Sequence, residues 1–177
     1  MRSVGIHMCR GNFSGRHLAN GGYEWVAERF FARADANHFL LEYDTPRAGD
    51  FAPLRFVPKG KGVVLGLISS KTPVLETIDS LQRRVDEATK YIAPERLAIS
   101  PQCGFASSAG GNPLTETDER TKLRLAVNAA RDLAIADGAS ALRPWTVLHF
   151  QSSGGPSYKL PHNCCKGVVR SSNDCRC

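Results

Sequence analysis

The sequence lacks any apolar run long enough to cross a membrane. A membrane-spanning helix needs about 18 or more apolar residues in a row, whereas the longest apolar run, at residues 63–68, has the length of a strand. Residues 1–10 also lack a basic segment followed by an apolar stretch, so a secretory signal is not supported. We therefore expect a cytoplasmic protein that has no membrane partner.

A strong excess of charge is missing from most of the chain. The net charge is +6, but residues 138–177 contribute five basic residues and one acidic residue. Residues 1–137 therefore hold 18 basic and 16 acidic residues, a balance of only +2. Because this body is nearly neutral, its charge gives no argument for a nucleic-acid partner.

Cysteines are scarce in the same body. Only Cys9 and Cys103 lie there, and without an export signal they are better explained by metal binding or catalysis than by a disulfide. Residues 138–177 are rich in Ser, Gly and Pro and show no periodicity, so we interpret them as an unstructured or non-family tail. A second metal site in this tail is the alternative, although the spacing matches no familiar zinc finger. Its ligands would be His162, Cys164, Cys165, Cys175 and Cys177.

Residues 1–137 contain strand patterns that alternate with helix patterns. Strands are predicted at 3–9, 39–43, 62–68 and 96–100, and helices at 22–35, at 74–92 and from about 115 to 137. A capping-box-like sequence, Thr115-Glu-Thr-Asp118, starts the third helix. This alternation predicts a parallel sheet in an α/β fold.

Each predicted helix has an apolar stripe that should face the sheet. The second helix has the longest stripe, with a sustained period near 3.6 residues. The stripes are Val26, Phe30 and Ala34 in the first helix, Ile78, Leu81, Val85, Ala88 and Ile92 in the second, and Leu123, Val127 and Ala130 in the third.

Four side chains of types that commonly bind metal ions lie at strand ends. His7 and Cys9 close the first strand, Glu42 lies at the end of the second, and Cys103 follows the fourth. The C-terminal ends of parallel strands form the functional face of α/β folds, and residues i and i+2 of a strand point to the same side. This donor set suits zinc. Taken singly, His7 and Cys9 could be buried packing, Cys103 a small hydrophobe and Glu42 a partner of Arg47, but their convergence at one face favours zinc.

Four segments resemble one known family. The segments are HMCRGN (7–12), FLLEYD (39–44), FVPKGKGVVLGLISSKTP (56–73) and SPQCGF (100–105). They resemble the zinc-binding catalytic domain of the cobalamin-independent methionine synthases and their shorter single-domain relatives, over about the first 135 residues.

The resemblance implies a fold and a ligand set. The fold would be a (β/α)₈ TIM barrel of the methionine-synthase type, of which residues 1–137 would hold the C-terminal half, its last four βα units. In that family's pattern, His7, Cys9, Glu42 and Cys103 would bind Zn²⁺. A half barrel leaves two open sheet edges and an exposed apolar face. We therefore expect a chain that is unstable alone, self-associates through the open barrel edge, or is a fragment of a longer gene product.

The resemblance also implies an activity. The family transfers a methyl group from 5-methyltetrahydrofolate to the thiol of homocysteine, and the resemblance implies that this chain would be an enzyme of methionine biosynthesis. Arg10, Asn12 and Ser69 are its expected substrate-binding residues, with a plain surface position as the alternative for Arg10. The longer synthases carry a histidine after the third strand, where this chain has Ser69, Ser70 and Lys71. The alternatives are alkyl transfer to another thiol, as in epoxyalkane:coenzyme M transferase, and an inactive zinc-binding barrel fragment.

Overall fold

The structure, a computed structural model, describes residues 3–136. The tail predicted at 138–177 lies outside the described residues. Within the part that is described, none of the helices combines the length and the apolar character needed to cross a membrane.

The described chain alternates parallel strands with helices, as expected for the α/β class. In chain order the elements are β1 (Gly5–Met8), α1 (Glu24–Arg33), β2 (His38–Glu42), β3 (Gly62–Ile68), α2 (Ile78–Thr89), β4 (Leu97–Pro101) and α3 (Glu116–Ala136), with short 3-10 helices at Pro46–Ala48, Ala52–Phe56 and Pro94–Arg96. β3 has the predicted bounds. α2 begins at Ile78 rather than at 74, because the side chain of Thr77 caps it by accepting a hydrogen bond from the backbone N–H of Ser80 at 3.2 Å.

The four strands form one sheet in the order β1-β2-β3-β4, and every neighbouring pair is parallel. Parallel strands in chain order, connected on one side, are the repeating arrangement of a (β/α)₈ barrel. Among residues 3–136, β1 and β4 each pair with one strand only, so both outer edges of the sheet lack a strand partner there.

The two faces of the sheet have different roles. The face that carries Phe39, Leu65 and Leu97 packs against the helices and forms the core. Side chains alternate along a strand, so His7 and Glu42 point to the opposite face. That face corresponds to the inside of a barrel.

The buried face of α2 agrees with its predicted stripe, whereas the predicted stripe of α1 is confirmed only in part. α1 buries Ala27 and Phe31 fully. Of the predicted stripe, Phe30 and Ala34 are partly buried against the core, whereas Val26 is 48% exposed. Apolar residues occupy adjacent positions in α1, so its sequence satisfies a helical period on two neighbouring faces. The structure selects the face from which Phe31 stacks on Phe39, with ring centroids 4.8 Å apart.

The predicted face of α3 was wrong. α3 buries Lys122, Ala126 and Leu133, whereas Val127 is 40% exposed. The Lys122 ammonium lies 3.1 Å from a carboxylate oxygen of Glu76, so a charged residue belongs to the buried face. A pattern of apolar residues cannot reveal that a charged residue is buried.

Candidate metal centre

Three of the four predicted ligands meet at the C-terminal edge of the sheet. The donor atoms of His7, Cys9 and Cys103 all lie within 4.8 Å of one another, and Cys103 Sγ is 3.5 Å from His7 Nε2. His7 lies in β1, Cys9 follows its last residue, and Cys103 lies shortly after β4. All three side chains are partly buried, and both cysteines are free thiols.

The donor atoms fit a zinc ion in kind and spacing. Zinc binds thiolate sulfur at about 2.3 Å and imidazole nitrogen at about 2.0–2.1 Å in tetrahedral geometry, which places neighbouring donors about 3.4–3.8 Å apart. The spacing of the three donors therefore needs only small side-chain movements to suit the ion. Two sulfurs and one nitrogen are also a typical zinc donor set.

The contact between the two cysteines shifts their pKa values in opposite directions. Hydrogen bonds from Cys103 and then His7 lower the pKa of Cys9 to about 4, and the backbone N–H of Gly11, 3.3 Å from Cys9 Sγ, acts in the same direction. The same contact with Cys9, followed by burial, raises the pKa of Cys103 above its ordinary value. The lowered pKa of Cys9 favours its thiolate form, which is the form of cysteine that binds metal.

Glu42 lies outside this group of three. Its buried carboxylate accepts a hydrogen bond from the backbone N–H of Arg10 at 2.6 Å and from Arg47 at 2.6 Å, and Lys71 Nζ is 3.6 Å away. The pairing with Arg47 that the sequence left open is thus formed. Because Arg10 directly follows Cys9, Glu42 also holds the backbone beside that ligand. The role of Glu42 as a metal ligand stays a prediction.

Arg10, one of three predicted substrate-binding residues, is buried. Its guanidinium donates hydrogen bonds to the backbone oxygens of Gly21, Glu42 and Ala48 at 2.8, 3.1 and 3.3 Å. It also stacks on the ring of Tyr23, 3.9 Å from the centroid. These contacts tie the segment after β1 to the end of β2, so Arg10 is not a plain surface group.

Asn12 and Ser69 lie at the same edge of the sheet and are also bonded within the protein. Asn12 donates to the backbone oxygen of Gly104 at 3.2 Å and accepts from the N–H of Gly15 at 3.1 Å. Ser69 Oγ accepts a hydrogen bond from the N–H of Lys71 at 3.3 Å. Substrate binding by Arg10, Asn12 and Ser69 stays a prediction.

Sequence reasoning missed part of the surroundings of this centre. Lys71, considered only in place of the family's histidine, forms a buried ion pair with Asp44 at 3.0 Å. Ser107, which joins the segment after β4 to Asn12, and Asn112, which bonds to Ser107, were not considered. The available signal was the unusually long segment between Cys103 and α3, because connections of this kind have about 2–6 residues.

Comparisons with known proteins show which family and which proteins this chain is similar to. A family model described as the catalytic domain of the cobalamin-independent synthase matches residues 4–132. Two proteins of Bacillus subtilis, YxjG and YxjH, both described as uncharacterized, are 45% and 44% identical to the chain over 132 residues. These matches cover 74% of this chain and 35% of each relative, so the chain spans about a third of the length of these relatives. The methionine synthase of Pyrococcus abyssi is 28% identical over 104 residues, which cover 58% of this chain and 27% of that protein.

Two solved structures have the same fold. A Listeria monocytogenes protein described as a candidate vitamin-B12-independent methionine synthase is 30% identical, with a TM-score of 0.55, and the match covers 74% of this chain and 35% of that one. A B12-independent methionine synthase from Shewanella, solved in complex with selenomethionine, is 21% identical with a TM-score of 0.58, and the match covers 75% and 38%. At that identity the second match supports the fold alone. The predicted partial (β/α)₈ barrel is confirmed.

Proposed function

The chain belongs to the family of cobalamin-independent synthase catalytic domains, and from this premise we propose that it transfers a methyl group from 5-methyltetrahydrofolate, or a related alkyl donor, to the thiol of homocysteine. The observation that carries the proposal is the convergence of His7, Cys9 and Cys103, whose donor atoms lie within 4.8 Å of one another. The product would be methionine.

The three side chains would hold a zinc ion at the C-terminal edge of the sheet. When bound, zinc keeps a substrate thiol in its thiolate form at neutral pH, although a free thiol has a pKa of about 8.5. In the transfer, the sulfur–carbon bond forms as the nitrogen–carbon bond of the donor breaks. The thiol loses a proton, and the nitrogen of the leaving group gains one.

Lys71 is the residue that we assign to the leaving group. It occupies the region where the longer synthases of the family have a histidine, and its ammonium is held between Asp44, at 3.0 Å, and Glu42, at 3.6 Å. Those contacts fix the position of the Lys71 side chain, which is buried. Glu42 contributes by fixing the backbone next to Cys9.

The test is an assay of the full 177-residue chain loaded with zinc, methyltetrahydrofolate and homocysteine. We expect methionine from the wild type, none from Cys103→Ser, and slower formation from Lys71→Met. Lys59→Met is the matched control, since Lys59 is exposed, and it should match the wild type. Product formed from coenzyme M and an epoxide, but not from homocysteine, would favour the other alkyl transfer. Absence of product with either thiol would contradict the proposed chemistry for this chain.

A second candidate function is a zinc-binding barrel fragment that is inactive by itself. It is favoured by the match to about a third of its relatives' length and by the unpaired edges of β1 and β4 in the described sheet. An open edge of this kind favours self-association. Restoration of methyl transfer on mixing with the remaining segment of a full-length relative would support this candidate. Light scattering that shows a compact, stable monomer would argue against self-association.

A further inference from the structure

The segment after β1 and the segment after β4 are joined by side-chain hydrogen bonds. Asn12 Nδ2 donates to the backbone oxygen of Gly104 at 3.2 Å, and the N–H of Ser14 donates to Ser107 Oγ at 3.1 Å. The hydroxyl groups of Ser14 and Ser108 lie 2.8 Å apart and share a hydrogen bond. The set consisting of Asn12, Ser14, Ser107, Ser108 and Asn112 is called the loop clamp below.

Asn112 connects the clamp to a third strand. Its amide nitrogen donates to the backbone oxygen of Ser70, just after β3, at 2.8 Å and to that of Gly104 at 3.2 Å. Its amide oxygen accepts from Ser107 at 2.7 Å, and Ser107 Oγ lies 3.3 Å from the amide oxygen of Asn12. Asn112 is only 9% exposed. The buried amide of Asn112 therefore links the segments after β3 and β4 directly, and it reaches the segment after β1 through Ser107.

The same segments approach so closely that one position admits no side chain. Gly15 has a φ of +80°, and a Cβ atom there would lie 2.6 Å from Pro113 Cδ and 3.0 Å from the backbone oxygen of Lys71. A glycine is required both by the conformation and by the contact. The packing of the segments is thus as tight as their hydrogen bonding suggests.

The strands alone do not bring the metal ligands together. β1, which delivers His7 and Cys9, and β4, which precedes Cys103, are separated by two strands. With neighbouring strands about 4.8 Å apart, three steps along a sheet amount to about 14 Å before curvature is considered. Because Cys103 Sγ nevertheless lies 3.5 Å from His7 Nε2, the segment after β4 must reach back over the sheet, and the clamp holds that segment there.

We propose that the loop clamp is a positioning device for the metal centre. Asn12 and Ser107 keep Cys103 within reach of His7 and Cys9, so metal affinity depends on side chains that do not touch the metal. The inference rests on the zinc site of the proposed function. Removal of a group that orients a metal ligand typically lowers metal affinity 10–100-fold.

The experiment measures zinc affinity of the full chain by competition with a chromophoric chelator. Asn12→Ala and Ser107→Ala should each bind zinc about 10-fold more weakly than the wild type, and Ser107→Thr, which retains the hydroxyl, should recover most of the affinity. The matched control is Gln82→Ala on α2, which removes an exposed side-chain hydrogen bond to Asp86 of 2.8 Å far from the centre. It should leave zinc affinity unchanged.

Two further measurements separate positioning from loss of fold. Ser107 is exposed, so Ser107→Ala should retain the circular dichroism and thermal midpoint of the metal-free wild type. With saturating Co²⁺, its thiolate-to-cobalt absorption should fall toward that of Cys103→Ser. In the Cys103→Ser background, Asn12→Ala should have no further effect on metal affinity, because the clamp acts through Cys103.

The outcomes distinguish this inference from the proposed function. The inference would be overturned, and methyl transfer left standing, if the clamp variants bound zinc as tightly as the wild type. The same holds if a clamp substitution lowered zinc affinity as much in the Cys103→Ser background as in the wild-type background. Tight, clamp-dependent zinc binding without methyl transfer would remove the proposed function alone. A wild-type chain that binds no zinc would overturn both.

Discussion

Replacement of Glu42 by glutamine should destabilise the metal-free chain. The Glu42 side chain has no exposed area, and its carboxylate accepts hydrogen bonds from the backbone N–H of Arg10 and from Arg47, both at 2.6 Å. A glutamine has one acceptor oxygen, so its NH₂ group must face one of these donors. Glu42→Gln also leaves Arg47 and Lys71 without the negative charge that lies between them.

The size of the effect follows from burial. Breaking a buried ion pair by removing one charge costs about 3–5 kcal/mol, and a hydrogen bond to a charged group contributes about 1.5–3 kcal/mol. Arg47 is 17% exposed and can gain water, while Lys71 keeps its contact with Asp44. We therefore expect the low end, a loss of about 3 kcal/mol in the free energy of unfolding. Domains of this kind have about 5–15 kcal/mol in total, so the variant should still fold.

Urea denaturation with a chelator present is the appropriate assay, because it reports the fold without any contribution from bound metal. Glu24→Gln is the matched control, since Glu24 also pairs with an arginine, Arg55, but both side chains are about half exposed. Exposed pairs contribute little, so the control midpoint should stay close to that of the wild type. The reasoning would be refuted if the substitution at Glu42 shifted the midpoint no further than the control.

Two other substitutions test local features of the fold. Thr115→Ala should lower the free energy of unfolding by about 1 kcal/mol, because Thr115 Oγ accepts from the N–H of Asp118 at 3.2 Å. The hydrogen bonds from Thr115 hold the pKa of Asp118 below its usual value. The Asp118 carboxylate therefore stabilises the folded chain at neutral pH, and this contribution is lost as the pH falls through its folded-state pKa. Thr115→Ala should accordingly lose less stability on acidification than the wild type. Gly66→Ala should cost about 1–3 kcal/mol in a thermal melt, because its Cβ would lie 3.1 Å from the backbone oxygen of Leu41 and 2.5 Å from Oε1 of Gln102, a buried side chain with little room to shift. Gly104→Ala, which meets nothing within 4 Å, should cost less. An equal loss from the two alanine variants would contradict the packing around Gly66.

The elements with a strong local signal could be predicted from the sequence. β3 is a continuous apolar run that is buried along nearly its whole length, and α2 has one unambiguous stripe, so both appear as expected. The capping box at the start of α3 was also readable, because it depends on residues three positions apart. The buried face of α3 and the position of Val26 in α1 were misjudged. They depend on which neighbour each helix meets, and in α3 on the pairing of Lys122 with Glu76 across the fold.

For the candidate site, too, some features could be predicted from the sequence and others could not. The placement of His7, Cys9, Glu42 and Cys103 at strand ends was evident, because parallel strands share one functional edge. Whether Glu42 also pairs with Arg47 was not evident, because that pairing depends on a segment that folds back after β2. The loop clamp was also beyond prediction, since it joins residues more than ninety positions apart. Neither local propensity nor periodicity carries information at that distance.

The most direct test of the metal centre is zinc K-edge X-ray absorption of the zinc-loaded chain and of Cys103→Ser. The sulfurs of Cys9 and Cys103 and the imidazole of His7 predict a first coordination shell with two sulfur atoms at about 2.3 Å and one nitrogen at about 2.0 Å in the wild type. The variant should show one sulfur fewer. A shell made of oxygen and nitrogen alone, or a sulfur count that Cys103→Ser leaves unchanged, would contradict the account.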